Sequence, residues 1–220
     1  MTVSAAPGSC RAPRLPVPYV TAYEGEAVPY TLTAISDPGA TRGARLAFPD
    51  HLPADWMWGT LWHRQGVSQT GAPLFGRVNT CRQRRCMRLG LCQVCGGNAR
   101  DPRTGRLWWV LACPPWYTAA GEPYLNSPPT CPACIPMARR LCPKLGAESP
   151  VYTAARVEPY GVLGDLHRLA GGHGVPLVQE KVVVSFEEFQ RLEFTLATQL
   201  LGVLEELRPA VLPGCAERAA

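Results

Sequence analysis

Residues 180–207 read "EKVVVSFEEFQRLEFTLATQLLGVLEEL", and the way this stretch folds decides the architecture of the last third of the chain. Its opening β-branched run predicts a buried strand. Ser185 and Glu188 then stand at the S-x-x-E spacing of a capping box, in which each side chain satisfies a free N–H at a helix start. Beyond them Phe189, Leu192, Leu196, Leu200, Val203 and Leu207 advance by three or four residues, a continuous apolar stripe at helical spacing that stops before Pro209. The expectation is a strand plus a long amphipathic helix. Glu193, Glu205 and Glu206 interrupt any membrane-spanning run, so the stripe packs on the core or pairs two copies into a homodimer through the 186–207 helix.

Upstream, "VPYTLTAI" (28–35) is a β-favouring run closed by the turn residues "SDPGATRG" (36–43), which predicts a small sheet or hairpin. The stretch "PADWMWGTLWHRQG" (53–66) clusters Trp56, Trp58, Trp62 and His63. Trp58 and Trp62 stand four apart and would share one face of a helix, as aromatic core, docking surface or base-stacking platform.

The chemistry concentrates in "CRQRRCMRLGLCQVCGG" (81–97). Asn79 is a suitable N-cap, and the residues after it make about three helical turns before Gly90, a residue that terminates helices well. Cys92-x2-Cys95 follows and, after 35 intervening residues, Cys131-x2-Cys134. Two residues between cysteines let both thiolates of a tight turn reach one ion at about 2.3 Å, and two such turns complete the tetrahedron that zinc, Zn2+, accepts. An iron–sulfur cluster also takes four thiolates. Two glycines after Cys95 free the backbone for a knuckle. "LWWVLA" (107–112) predicts a strand, and the residues after Cys131 and Cys134 predict a helix that ends at Pro143. Cys81, Cys86, Cys113 and Cys142 form a second set of four with irregular spacing, read either as another metal site or as buried thiols packing like small hydrophobes.

Knuckle, strand or hairpin, then a helix whose first turn carries the second cysteine pair: over 78–144 this order resembles a treble-clef zinc finger, and "LGLCQVCGG" after a basic helix resembles the start of the zinc-bearing HNH nucleases. The resemblance implies a treble-clef fold around a structural zinc. The nuclease chemistry would need His or Asp between the two pairs to activate water, and no histidine occurs between His63 and His167. The chain is also similar to uncharacterised actinobacterial proteins with paired "CxVCG" and "CPxC…R.LCP" segments, a likeness that implies no activity.

Residues 77–107 carry Arg77, Arg82, Arg84, Arg85, Arg88, Arg100, Arg103 and Arg106 against Asp101 alone, a local charge of +7 that exceeds the +5 of the whole chain. Zinc with four thiolates leaves a formal charge of about −2 to be neutralised nearby. The surplus predicts a face for nucleic-acid phosphates or an acidic protein, with Arg77, Arg82, Arg84, Arg85, Arg88, Arg103 and Arg106 as its contacts.

Other enzyme signatures are missing: no phosphate loop, nucleophile elbow or dinucleotide fingerprint occurs. "GDLHRLAGGHG" (164–174) places His167 and His173 near Asp165, which leaves a metal-dependent enzyme as an alternative to a surface loop. The first residues lack a secretory signal pattern and no apolar run is long enough to span a membrane, so a cytoplasmic protein is expected. The whole reads as α+β: a flexible arm (1–18), an N-terminal β-containing segment (19–76), a zinc module (77–147), a C-terminal strand-helix segment (148–208) and a flexible tail (209–220). The expected role is non-enzymatic, in nucleic-acid binding or regulation, with a protein-interaction adaptor or dimerising scaffold as the alternative.

Overall fold

A computed structural model describes residues 16–171 and 174–212. Most of the expected arm and tail, together with His173, lies outside the described residues. From the N-terminus, β1 (Thr21–Tyr23) precedes a hairpin of β2 (Thr33–Ser36) and β3 (Ala44–Ala47), a second hairpin of β4 (Trp56–Met57) and β5 (Thr60–Trp62), and β6 (Pro73–Val78). The cysteine-rich region supplies α1 (Thr80–Leu89), β7 (Leu107–Val110), β8 (Trp116–Tyr117), β9 (Pro123–Leu125) and α2 (Ile135–Leu141). Then follow β10 (Val151–Ala154), β11 (Arg156–His167), β12 (Leu177–Ser185), the single turn α3 (Phe189–Leu192), β13 (Thr195–Glu205) and β14 (Arg208–Pro209).

This is a mostly β protein, and the expected α+β architecture with a long C-terminal helix is overturned: among the described residues the three α-helices span 10, 7 and 4 residues. The strand expected at the start of 180–207 is present as part of β12. Glu188 Oε1 accepts the Ser185 N–H at 2.9 Å, half of the anticipated capping box, but the helix it starts is only α3. Thr195–Glu205 is instead an extended strand with Leu196, Ala197, Leu200, Leu201 and Leu204 buried. A strand covered on both faces loses its alternation and reads as a near-continuous apolar run, which a helical template matches equally well. The 186–207 helix proposed as a dimer interface therefore does not form.

β13 is the axis of a seven-stranded sheet. One edge pairs antiparallel with β11, which carries β12 on its far side. The other edge is shared: β5 runs parallel beside Leu196 and Ala197, and β9 runs antiparallel beside Gly202 and Val203. Between these two partners the peptide groups of Leu200 would be orphaned. The buried amide of Gln83 fills the gap, donating to Leu200 O at 2.9 Å and accepting from Leu200 N at 2.9 Å. That bond seats α1 across the sheet, where Gly202 allows close approach: a Cβ there would meet Val157 Cγ1 at 2.3 Å and Met87 Cε at 2.9 Å.

Three smaller sheets surround this one: β14–β10–β7, β1–β6 and β2–β3. The hairpin expected at 28–43 is β2–β3, α1 begins at its Asn79 cap and stops at left-handed Gly90 (φ 64), and the 107–112 run contains β7, buried at all four positions. The tryptophans differ from expectation. Trp58 and Trp62 belong to the β4–β5 hairpin, whose two-residue turn sets both Trp58 (φ 52) and Gly59 (φ 77) left-handed, as a turn compatible with strand twist requires. Their rings still meet, 6.0 Å apart, because Trp58 folds back over β5. No helix among the described residues is long and apolar enough to cross a membrane.

Because Gly202 sits where α1 meets β13, Gly202→Ala is expected to cost about 1–3 kcal/mol through overpacking. Thermal unfolding should show a Tm several degrees lower, and an unchanged Tm would contradict the close approach.

Candidate metal centre

Local backbone geometry explains how the first cysteine pair is presented. Gly90 ends α1 in the left-handed conformation, and the chain returns so that Leu91 N–H donates to Cys86 O at 3.0 Å and Ala99 N–H to Gly90 O at 3.1 Å. Inside this loop Cys92 N–H donates to Gly97 O at 2.7 Å and Gly96 N–H to Cys92 O at 2.8 Å, closing a tight knuckle. The Val94 N–H points at Cys92 Sγ, 3.4 Å away. Gly96 has φ 73 and lies under the Tyr19 ring, which a Cβ would meet at 3.0 Å. The N-terminal segment clamps the knuckle from outside, with Tyr19 N–H donating to Val94 O at 2.9 Å.

The second pair opens α2. Cys134 N–H and Ile135 N–H both donate to Cys131 O, at 2.9 and 3.2 Å, so the turn between the cysteines runs directly into the helix. Gln93 N–H to Pro129 O (2.8 Å) and Gln93 Nε2 to Thr130 Oγ1 (2.9 Å) tie the knuckle to the approach of this turn. The result brings the sulfurs of Cys92, Cys95, Cys131 and Cys134 within 4.8 Å of one another, with Cys95 and Cys131 at 3.9 Å. A tetrahedron of thiolates about 2.3 Å from a central ion has edges of about 3.8 Å. The four side chains fit a metal ion.

The electrostatics favour a cation at the centre. Burial pushes the Cys131 thiol up to about 11 and raises Cys134 further, with neighbouring thiols adding to the rise at Cys134. Burial also acts to raise Cys95, but the Gly97 N–H and the adjacent thiols outweigh it and lower its pKa. Four thiolates at this spacing repel one another unless a positive ion joins them, so metal entry and proton release are coupled.

Among the described residues, Cys81, Cys86, Cys113 and Cys142 do not join this cluster. Cys86 is buried with its sulfur 3.9 Å from Cys92 O, and burial pushes its thiol up to about 12. Cys81 reaches Gln65 O at 3.6 Å, Cys113 is exposed and Cys142 follows the last turn of α2. Among the described residues the metal-competent group is the single set of four. His167 Nδ1 lies 2.9 Å from Val175 O, and Asp165 accepts the Lys181 N–H at 3.0 Å, so both groups serve the β11–β12 hairpin.

The arginines divide by role. Arg82 is buried, with Nη1 2.6 Å from Glu26 Oε1 and Nη2 2.8 Å from Glu26 Oε2, and it also donates to Thr21 O at 2.6 Å. Arg106 serves the β7–β10–β14 sheet, donating to Thr153 and Glu206. Arg77, Arg85, Arg88 and Arg103 are exposed and Arg84 is half-buried, none with a carboxylate within 4.0 Å among the described residues. Glu26 and Gln83, which anchor α1 through its adjacent positions 82 and 83, have no motif in the sequence. The one available clue is that Arg82 and Gln83 occupy the inward positions of a helix whose cap is Asn79. Comparison with protein-family models, curated proteins and solved structures finds no match.

Glu26 makes stability pH-dependent. Burial would raise its pKa, but bonds from Arg82, the N–H groups of Tyr23 and Gln69, and the Asn79 amide outweigh burial and lower it from 4.5 to about 2. A carboxyl depressed on folding stabilises fully above its unfolded pKa and loses that contribution as pH falls toward its folded one, here up to about 3 kcal/mol. The stability difference between wild type and Glu26→Gln in denaturant should be largest near neutrality and narrow below about pH 5; a difference independent of pH would contradict this role. At the metal centre, elemental analysis should find one ion per chain, lost in Cys92→Ser and Cys134→Ser and retained in Cys81→Ser and Cys113→Ser.

Proposed function

We propose that this chain is a non-enzymatic, structural-zinc protein that binds nucleic acid through the outer face of α1. Zinc is favoured because every sulfur of the cluster lies within 4.8 Å of the others. That spacing suits a single tetrahedral ion, whereas a polynuclear iron–sulfur cluster spreads its thiolates further apart. Bound zinc would supply no redox chemistry and would join the knuckle to the start of α2, contributing on the order of 10 kcal/mol of apparent binding energy to folding. The order of knuckle, β7 and a cysteine pair that leads into α2 is what supports a treble-clef reading of this region.

The observation that carries the binding proposal is the set of arginines left without carboxylates. Arg84, Arg85 and Arg88 stand at i, i+1 and i+4 of one helix, and Arg77 precedes it by a few residues. Arg84 Cζ lies 4.4 Å from the centre of the Trp62 ring and Arg88 Cζ 5.8 Å from that of Trp58, so two of the guanidinium groups are positioned by aromatic planes. Each arginine that neutralises a phosphate releases counterions, which gives affinity without sequence preference. An acidic protein would meet the same charges, and loss of DNA and RNA binding with retention of an acidic polypeptide would select it instead.

Fluorescence anisotropy with DNA and RNA oligonucleotides at about 50 mM salt should give micromolar binding that weakens steeply with added salt. Replacing Arg84, Arg85 and Arg88 together by alanine should reduce the slope of log affinity against log salt by about 2–3. Absence of binding at micromolar protein refutes the proposal.

A further inference from the structure

The face of the large sheet opposite α1 carries a row of aromatic rings that the metal centre and the basic helix do not use. Trp116 on β8 pairs with Tyr124 on β9, Tyr124 pairs with Val203 on β13, and Val203 pairs with Glu158 on β11. Directly paired residues share a face, and neighbours along a strand take opposite faces. Since Gly202 faces Met87 of α1, Val203 and the residues level with it face away. Tyr160 sits where the β11–β13 register shifts between Pro159 and Gly161, and its ring leans onto the row. The ring centres step 5.6 Å from Trp116 to Tyr124 and 4.9 Å from Tyr124 to Tyr160. Trp116 is 44% exposed. Among the described residues β8 pairs only with β9, leaving its outer edge open.

We propose that this row is a docking surface for a proline-rich, basic peptide segment of a partner protein. Neighbouring rings are inclined by 39° and 42°, which makes a corrugated surface with notches between rings rather than a flat platform. Pyrrolidine rings of a polyproline II segment fill notches of this kind, and such a segment is already extended, so little ordering entropy opposes its binding. A sugar chain, by contrast, stacks its flat apolar faces on coplanar rings. The charge around the row selects the partner's sign. Glu122 stands exposed in the turn joining β8 to β9, and Glu158 ends the cross-strand row, its contact with Arg156 a loose 4.0 Å because Arg156 engages Glu205 at 2.8 Å. Arginine beside the prolines meets these carboxylates. Nucleic acid is disfavoured on this face by the same groups.

Isothermal titration of the zinc-loaded full chain with the synthetic peptide PPRPPRPP tests the proposal. Expected is binding with Kd on the order of 100 μM, weakened about tenfold by Trp116→Ala and by Tyr124→Ala, with a smaller salt dependence in Glu158→Gln. The peptide AARAARAA should bind far more weakly. Unchanged metal content and Tm show that each variant is folded, and an exposed Trp116 makes its replacement the safer of the two. The proposal is overturned by any of four results: no binding at about 1 mM peptide, equal binding of the alanine peptide, unaltered binding in both folded aromatic variants, or binding of a cello-oligosaccharide in place of the peptide.

Discussion

A strand buried on both faces must find hydrogen bonds along both of its edges without help from water, and β13 meets that requirement from several sources. One edge is served by β11. The other is assembled from β5, the side chain of Gln83 and β9, which lie far apart in the sequence. An unpaired peptide group in such a place costs about 1–3 kcal/mol, so each of these pieces is held in position by the need of the strand it completes. The sheet thereby fixes the hairpin that carries the tryptophans, the helix that carries the arginines and the strand that leads toward the second cysteine pair.

The metal centre inherits its position from this arrangement. α1 is held on one side by Gln83 against β13 and on another by the bidentate pair of Arg82 with Glu26, and the knuckle begins two residues beyond its last turn. A buried ion pair is a weak source of net stability because desolvation offsets its attraction. Here every oxygen of Glu26 has donors, which makes the pair a device for orientation: with Gln83 on the Leu200 peptide groups it holds α1 at two separate points. The seating of α1 thus aims the cysteines of the knuckle, and Gln93 ties the knuckle to the approach of the turn that carries Cys131 and Cys134.

How much of this was legible in the sequence depended on whether a signal was local. Asn79, Gly90, the glycines after Cys95 and the two C-x2-C pairs act over a few residues, and the helix, the knuckle and the cysteine cluster follow from them. The failure at 195–205 had a physical cause. Leu196, Leu200 and Val203 keep a helical spacing, but Ala197, Leu201 and Leu204 are buried as well, and buried residues of both parities are what a central strand shows. Thr195 and Thr198 are β-branched and favour extended backbone, and the capping box that points to a helix forms its Glu188 bond but leads only to a single turn. The tryptophan hairpin was hidden for a similar reason: Trp58-Gly59 is an unusual pair for a turn that needs two left-handed residues.

Charge was the least legible property, because composition counts groups and cannot tell which are already partnered. Arg82 and Arg106 belong to the interior bonding of the fold, so the basic field of residues 77–107 is smaller than its formal sum and is centred on α1. The acidic residues divide in the same way: Glu26 is consumed inside, whereas Glu158 stands free of a close partner on the other side of the sheet. Two surfaces of opposite character therefore lie back to back across β13, one of arginines set on tryptophan rings and one of aromatic rings edged by carboxylates. With low-dielectric core between them, a polyanion bound to the first as proposed would neither cover nor neutralise the second. If both surfaces act as proposed, occupancy of one leaves the other free.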